Sequence, residues 1–375
     1  GDMLLEPDSK TKRTVPWANE STGQIIHDCF TKNGEPHPFS TRAVLKRILS
    51  LYKEDNLTPV IAPEMEFYLV KRNTNPDMTL SSPLGRSGRP ETARQSYSID
   101  ATNEYEPFIE DMYSYGEAMG LNIDTLIHES GAAQFEVNFI HGEPLELADQ
   151  VFTFKRMVRE VALKHDIYAT FMAKPYPDSA GNGLHTHVSI LDDSGRNIFD
   201  DGSEQGSDRL RQAIAGTLAL LPESMAIFAP NVNSFRRFGP NLYVPTGRTW
   251  GYNNRSVAVR VPAGAPEARR LEHRMAGADA NPYLTLAAIL AGIHHGIERQ
   301  LEPPAARQDN AGAELDPKVP FVWQRALDRV ASAEFLPDYM GLAYLELYRE
   351  CKQFELDAFY REFTPMEFRW YLAPE

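Results

Sequence analysis

The sequence predicts an α+β fold built on one sheet, with helices packed on the apolar face of that sheet. Two observations carry this. Four segments repeat apolar residues at helical spacing, and two of these open on side chains that can cap a helix. Five other segments alternate with a period of two, so that polar or charged side chains share one face and mostly apolar ones the other.

Taken in order, residues 1–30 predict two short strands, at Met3-Leu4-Leu5 and Thr14-Val15-Pro16-Trp17, around the turn Pro7-Asp8-Ser9. A loop with Gly34, Pro36 and Pro38 leads to a helix over 41–52, capped by Ser40 and carrying Val44, Leu45, Ile48 and Leu51. A strand over 60–70 puts Glu64 and Glu66 opposite Met65 and Phe67. Residues 72–95, rich in Pro, Gly, Ser, Asn and Arg, predict a long excursion of the kind that usually serves function. A helix over 106–119 ends at Gly120. After Gly131, the side chains of Gln134, Glu136 and Asn138 oppose Phe135, Val137 and Phe139. The helix over 145–164 gathers Leu147, Val151, Phe154, Val158 and Val161 on one face. In the next strand His185, His187 and Ser189 oppose Leu184, Thr186 and Val188. Over 256–261, Arg260 opposes Val257, Val259 and Val261, and over 269–274, Arg270, Glu272 and Arg274 share a face. A last helix over 282–299 opens on Asn281 and Pro282.

Composition excludes several classes. The chain has 375 residues, 42% of them hydrophobic, enough to bury a sizeable core. Its net charge of −14 opposes binding to nucleic acid. Cys29 and Cys351, the only cysteines, lack zinc-site spacing and read as reduced thiols. No apolar run approaches the ~20 residues of a membrane span, and no signal peptide is visible, so a cytoplasmic protein without membrane contact is expected.

The polar strand faces are unusual. A merely solvated face favours Lys, Thr and Ser; these faces carry Glu, His and Arg. Glu64 and Glu66, two apart on one strand, repel each other unless a cation neutralises them, and hard divalent ions take carboxylate oxygens. His185 and His187 share a face beside the Gly181-Asn182-Gly183 turn, which makes them candidate ligands. Arg236, Arg237, Arg248, Arg255, Arg260, Arg269, Arg270 and Arg274 cluster in a stretch without lysine, as suits phosphate and carboxylate recognition. No glycine-rich phosphate loop is present, so a nucleotide would be held by metals and arginines.

The runs Ala62-Pro63-Glu64-Met65-Glu66-Phe67 and Gly181-Asn182-Gly183-Leu184-His185-Thr186-His187 resemble the glutamine synthetase family. So do Asn254-Arg255-Ser256, Arg260-Val261-Pro262, Arg270-Leu271-Glu272-His273-Arg274 and Ala280-Asn281-Pro282-Tyr283, in family order and spacing. The stretch 84–91 and the ending Thr364-Pro365-Met366-Glu367 resemble the γ-glutamylpolyamine and γ-glutamylputrescine synthetase-like branch.

The resemblance implies a catalytic domain over 36–375 with a curved, mostly antiparallel sheet of about six strands. Residues 1–35 are then the remnant of a small N-terminal β-grasp domain. It implies a ligase that uses ATP and Mg²⁺ or Mn²⁺, two or three per site, to join the glutamate γ-carboxylate to an amine through γ-glutamyl phosphate. Ordinary glutamine synthesis from ammonia, and a catalytically silent homologue, are the alternatives. By resemblance, Glu66, Glu129 and Glu136 hold one metal, and Glu64, His185 and Glu272 a second that takes the ATP phosphates. His187 and Ser189 contact the nucleotide; Arg255, Arg260 and Arg270 bind phosphate; Arg237, Arg274 and Gly181 hold glutamate. Glu129, Arg255 and Arg260 act in catalysis. A homo-oligomer, a dodecamer of two hexameric rings, is implied as well.

Three departures stand out. The aspartate that relatives contribute from the missing part of the small domain to a neighbouring site is not placed here. The family's flap glutamate, which closes over ammonium, aligns with Tyr243, and Tyr97 is expected across the same pocket. The tyrosine that is adenylylated in one branch has no counterpart, since 309–320 contains no tyrosine.

Overall fold

The computed structural model describes residues 3–75, 79–240 and 242–372. Its N-terminal segment forms two ribbons: β1 (Leu4–Pro7) pairs with β4 (His27–Phe30), and β2 (Arg13–Thr14) with β3 (Gly23–Gln24). The second expected strand therefore stops at Thr14, where Pro16 cannot donate to a ladder. Arg42 fastens the first ribbon to the body. Its buried guanidinium pairs with Asp8 and Asp28, each at 2.7 Å, and with Asp149 at 2.9 Å.

The helix α1 (Thr41–Glu54) is capped by Ser40 as the sequence predicts. It leads into β5 (Leu57–Lys71), the long central strand. Next come α2 (Ile99–Asn103), α3 (Glu106–Ala118), β6 (Ile123–His128), β7 (Gln134–Phe139) and α4 (Pro144–Lys164). Beyond these lie β8 (Ile167–Thr170), β9 (Leu184–Asp192), α5 (Asp208–Phe228), α6 (Val232–Phe235), β10 (Trp250–Tyr252), β11 (Val259–Val261) and β12 (Leu271–His273). The chain closes with α7 (Pro282–Glu298), α8 (Trp323–Ala331), α9 (Leu336–Met340), α10 (Leu342–Tyr360) and α11 (Pro365–Tyr371).

The main sheet runs β10-β11-β12-β9-β5-β7-β6, with β8 beside β5 where β9 leaves it. It has eight strands, not the expected six or so, because β8 and the two-residue-period-poor β6 and β10 also pair. Every pairing is antiparallel except β10 with β11. The apolar face packs as the alternation demands. Phe67 meets the rings of Phe108, Phe135, Phe154 and Phe171 at centroid distances of 5.6–6.3 Å. Burying one such ring is worth about 1.5–3 kcal/mol.

Sequence periodicity misses α5 and the four helices after α7. From Leu210 on, α5 is buried on nearly every side and contains Pro222, so no single apolar stripe marks it. It packs on α7, whose other faces meet α1 and α4. The strand expected over 256–261 shrinks to three residues because 254–258 form a turn held by Asn254, whose Oδ1 accepts from Ser256 N. Among the described residues no helix is long and apolar enough to cross a membrane.

Candidate active site

The site grows from β5, whose alternation sends Glu64 and Glu66 away from the packed Met65 and Phe67. Register supplies the neighbours. On β7, Asn138 lies opposite Glu64 and Glu136 opposite Glu66. On β9, His185 lies opposite Glu64 and His187 opposite Ala62. β12 continues the row with Glu272 opposite His187, and β11 adds Arg260 opposite Glu272. Residues from five strands thus meet on one face.

His185 Nδ1 lies 3.4 Å from Glu64 and 3.9 Å from both Glu66 and Glu272. Arg270 Nε donates to His187 Nδ1 at 3.2 Å, which leaves the proton on Nε2, and Nε2 donates to Glu64 at 2.8 Å. Two trios bring ligand atoms within 4.8 Å of one another: Glu64, Glu136 and His185, and Glu64, His187 and Glu272. This differs from the grouping the resemblance implies. Glu64 is common to both trios, and His187, expected at the nucleotide, closes one of them. Glu66 sits just outside, its Oε2 accepting from Gly183 N at 2.8 Å. Glu129 follows β6 in a turn, with Oε2 accepting from Ser130 N. Ser189 stands half-buried further along β9, on the face of His185 and His187.

The electrostatics ask for cations. Burial, with the charges of Glu64, Glu66, Glu129 and Glu272, pushes the Glu136 carboxyl up to about 10. Burial and the charge of Glu129 push Glu66 up to about 7. Burial would raise Glu64 too, but hydrogen bonds from His185 and His187 offset it and hold that group well below the usual range. Burial and Arg274 hold His185 down to about 4, so its ring is neutral, the form that ligates. A buried set of carboxylate oxygens with neutral imidazole fits Mg²⁺ or Mn²⁺.

Arginines rim this cluster. Arg274 and Arg260 both pair with Glu272, the latter at 2.8 Å, and Arg260 is steadied by Asn253 Oδ1 at 2.9 Å. Arg260 Nε and Arg274 Nε are buried with no acceptor among the described residues, which suits an anionic ligand. Buried Arg237 donates to Met275 O at 2.7 Å. Burial lowers its guanidinium to about 10. Glycines admit these groups: a Cβ on Gly181 would lie 2.8 Å from Arg237 Cγ, and one on Gly183 2.8 Å from His185 Nε2. Arg255 Nη1 donates to Tyr97 Oη at 3.3 Å. Three arginines of the sequence cluster point elsewhere. Arg248 pairs with Asp316, Arg269 donates to Ser203 O, and Arg236 is exposed.

Tyr97 and Tyr243 are 62% and 83% exposed, and both hold left-handed backbone, with φ of 62° and 56°. In the single chain neither is enclosed. A cavity of about 710 Å³ lies away from the carboxylates, between β4, α1 and the start of α10. Sequence reasoning also missed Glu91 and His128. His128 Nε2 faces Glu91 Oε2 at 3.1 Å and Nδ1 faces Glu129 O at 2.8 Å. Only the loop position of Glu91, next to Pro90, could have hinted at this.

Residues 38–371 match the family described as glutamine synthetase, catalytic domain. The chain is 38% identical over 356 residues to the gamma-glutamylputrescine synthetase PuuA of Escherichia coli (strain K12), covering 94% of this chain and 75% of that protein. It is 32% identical over 373 residues to the gamma-glutamylethanolamide synthetase GlnA4 of Streptomyces coelicolor, covering 98% and 79%. The solved "GmaS/ADP complex-Conformation 1" superposes with a TM-score of 0.85 at 29% identity, covering 99% of this chain and 85% of that one. By these matches, the chain belongs to the glutamine synthetase family, through its catalytic domain.

Proposed function

We propose that this chain is an ATP-dependent ligase that joins the γ-carboxylate of glutamate to a small organic amine and releases a γ-glutamylamide. The observation that carries the reading is the buried cluster of Glu64, Glu136, Glu272, His185 and His187, rimmed by arginines with unused donors. The relatives named for γ-glutamylputrescine and γ-glutamylethanolamide support an organic amine, and the GmaS complex with ADP supports ATP.

In the first step a γ-carboxylate oxygen of glutamate attacks the γ-phosphorus of ATP; the bond to the bridging oxygen breaks and ADP leaves. A carboxylate is a poor acyl donor, and γ-glutamyl phosphate is a good one. Arg237 and Arg274, with Gly181, hold glutamate; Arg255, Arg260 and Arg270 take the phosphate charge as it moves. His187 and Ser189 contact the nucleotide. In the second step Glu129 receives the charged nitrogen of the amine and the proton it loses. The free amine attacks the acyl carbon, the C–N bond forms and phosphate departs. Glu64, Glu66, Glu129, Glu136, His185 and Glu272 would hold Mg²⁺ or Mn²⁺, two or three per site, which when bound supplies charge neutralisation and orientation to the phosphates.

The same proposal assigns residues 1–35 to a small N-terminal domain and makes the assembly a dodecamer of two hexameric rings. Exposed Phe354, Tyr360, Phe363, Phe368 and Trp370 on and between α10 and α11 support burial against further copies. The test is phosphate release with glutamate, ATP and a panel of amines beside ammonia. Amine-dependent release that stops in chelator is expected. Preference for ammonia would make the protein a glutamine synthetase; no turnover and no Mn²⁺ binding would make it a silent homologue.

A further inference from the structure

Glu91 lies in the excursion between β5 and α2, yet its side chain is only 4% exposed. Its Oε2 holds both ends of the turn that carries Glu129. It faces His128 Nε2 at 3.1 Å and accepts from Ala133 N at 2.8 Å. Ala133 is itself left-handed, at φ 56°, a conformation that needs outside support. The second oxygen, Oε1, is buried with no hydrogen-bond partner among the described residues.

His128 is the hub that Glu91 holds. Its backbone oxygen accepts from Tyr97 N at 2.9 Å, and its ring Nδ1 contacts Glu129 O at 2.8 Å. Glu129 N donates to Gln134 O at 2.8 Å, and Gln134 Nε2 donates to Gly181 O at 3.0 Å. One residue therefore touches the backbone of both residues assigned to the amine: the His128 ring contacts Glu129 O, and the His128 main-chain oxygen, placed by that anchored ring, holds Tyr97 N. We infer that Glu91 and His128 are positioning residues for the amine site, acting through the backbone of Glu129 and Tyr97 and touching no substrate themselves. This rests on the ligase reading above.

The test compares steady-state kinetics of the wild-type protein, Glu91→Gln, His128→Gln and the double variant, at saturating Mg²⁺. Displacing a reacting group by about 1 Å costs up to a hundredfold, so kcat/KM for the amine falls on the order of tenfold to a hundredfold. KM for ATP changes less than the amine constant, because among the arginines assigned to phosphate Arg255 touches the displaced Tyr97 while Arg260 and Arg270 bond elsewhere. The double variant is no worse than the poorer single one, as expected for two members of one linkage. Unchanged amine kcat/KM in both single variants, equal changes in all substrate constants, or multiplying effects in the double variant would overturn the inference. Should Glu91→Gln not fold, His128→Gln carries the test by itself. A wild-type protein that turns over no amine would strike the ligase reading instead.

Discussion

Glu136 makes the cation requirement measurable without any turnover. Its folded carboxyl stands at about 10, against 4.5 for an ordinary glutamate, because it is buried among Glu64, Glu66, Glu129 and Glu272. A raised folded value means that the group favours the folded state below pH 4.5 and that this contribution is lost as pH rises toward 10. The loss is on the order of 1 kcal/mol near pH 5.5 and on the order of 5 kcal/mol near pH 8.5. With an unfolding entropy of about 2.1 cal/mol/K per residue, 5 kcal/mol corresponds to a melting shift on the order of 6 °C for this chain. A bound divalent cation removes the repulsion. Thermal melts in chelator and in excess Mn²⁺ should therefore differ little near pH 5.5 and by several degrees near pH 8.5. Glu136→Gln should melt higher than wild type in chelator at the upper pH, since the amide carries no charge there. A cation effect that is absent, or larger at the lower pH, would refute the reasoning.

Other consequences follow from the same geometry. Glu66→Ala or Glu136→Ala should abolish phosphate release, because removing one carboxylate leaves a cation under-neutralised; activity within about twofold of wild type would remove these residues from the metal set. Tyr243 has an apolar ring that can attract an alkylammonium by about 0.5–2 kcal/mol, so a primary organic amine should show higher kcat/KM than ammonia. Tyr243→Glu should shift that preference toward ammonia, and an unchanged ratio would count against the residue. Arg42→Ala takes the ion-pair partner from Asp8 and Asp149 and leaves Asp28 with Lys46 alone, and should cost about 3–5 kcal/mol of stability while sparing turnover at low temperature; an unaltered melting curve would show the network to be idle. Intact-mass analysis should find no adenylylated tyrosine, since 309–320 offers none.

The site was legible wherever it rests on alternation. Glu64, Glu66, Glu136, His185, His187 and Glu272 lie on strands whose opposite faces are packed, so the period of two alone sends them to one side. What alternation cannot give is partnership across the sheet. Register sets His187 opposite Glu272 and its ring turns to Glu64, a pairing that the period of two does not announce. Arginine spacing is a weaker guide still. Arg269 and Arg270 are adjacent, yet one donates to Ser203 O and the other to His187. The Glu91–His128 pair joins residues 37 apart through a segment with no period at all, so nothing local could announce it. Among helices, α1, α4 and α7 showed caps or stripes, whereas α5 is enclosed on nearly all sides beyond its first turn and is interrupted by Pro222, so no single stripe marks it.

The central claim is transfer through γ-glutamyl phosphate, and oxygen-18 in the glutamate γ-carboxylate tests it most directly. The protein would be supplied with labelled glutamate, ATP, Mg²⁺ and a primary amine, and the phosphate and amide products examined by mass spectrometry. The account predicts a γ-glutamylamide and one labelled oxygen in each phosphate released. Unlabelled phosphate alongside the amide, or phosphate release with no amide formed from any amine, would contradict it.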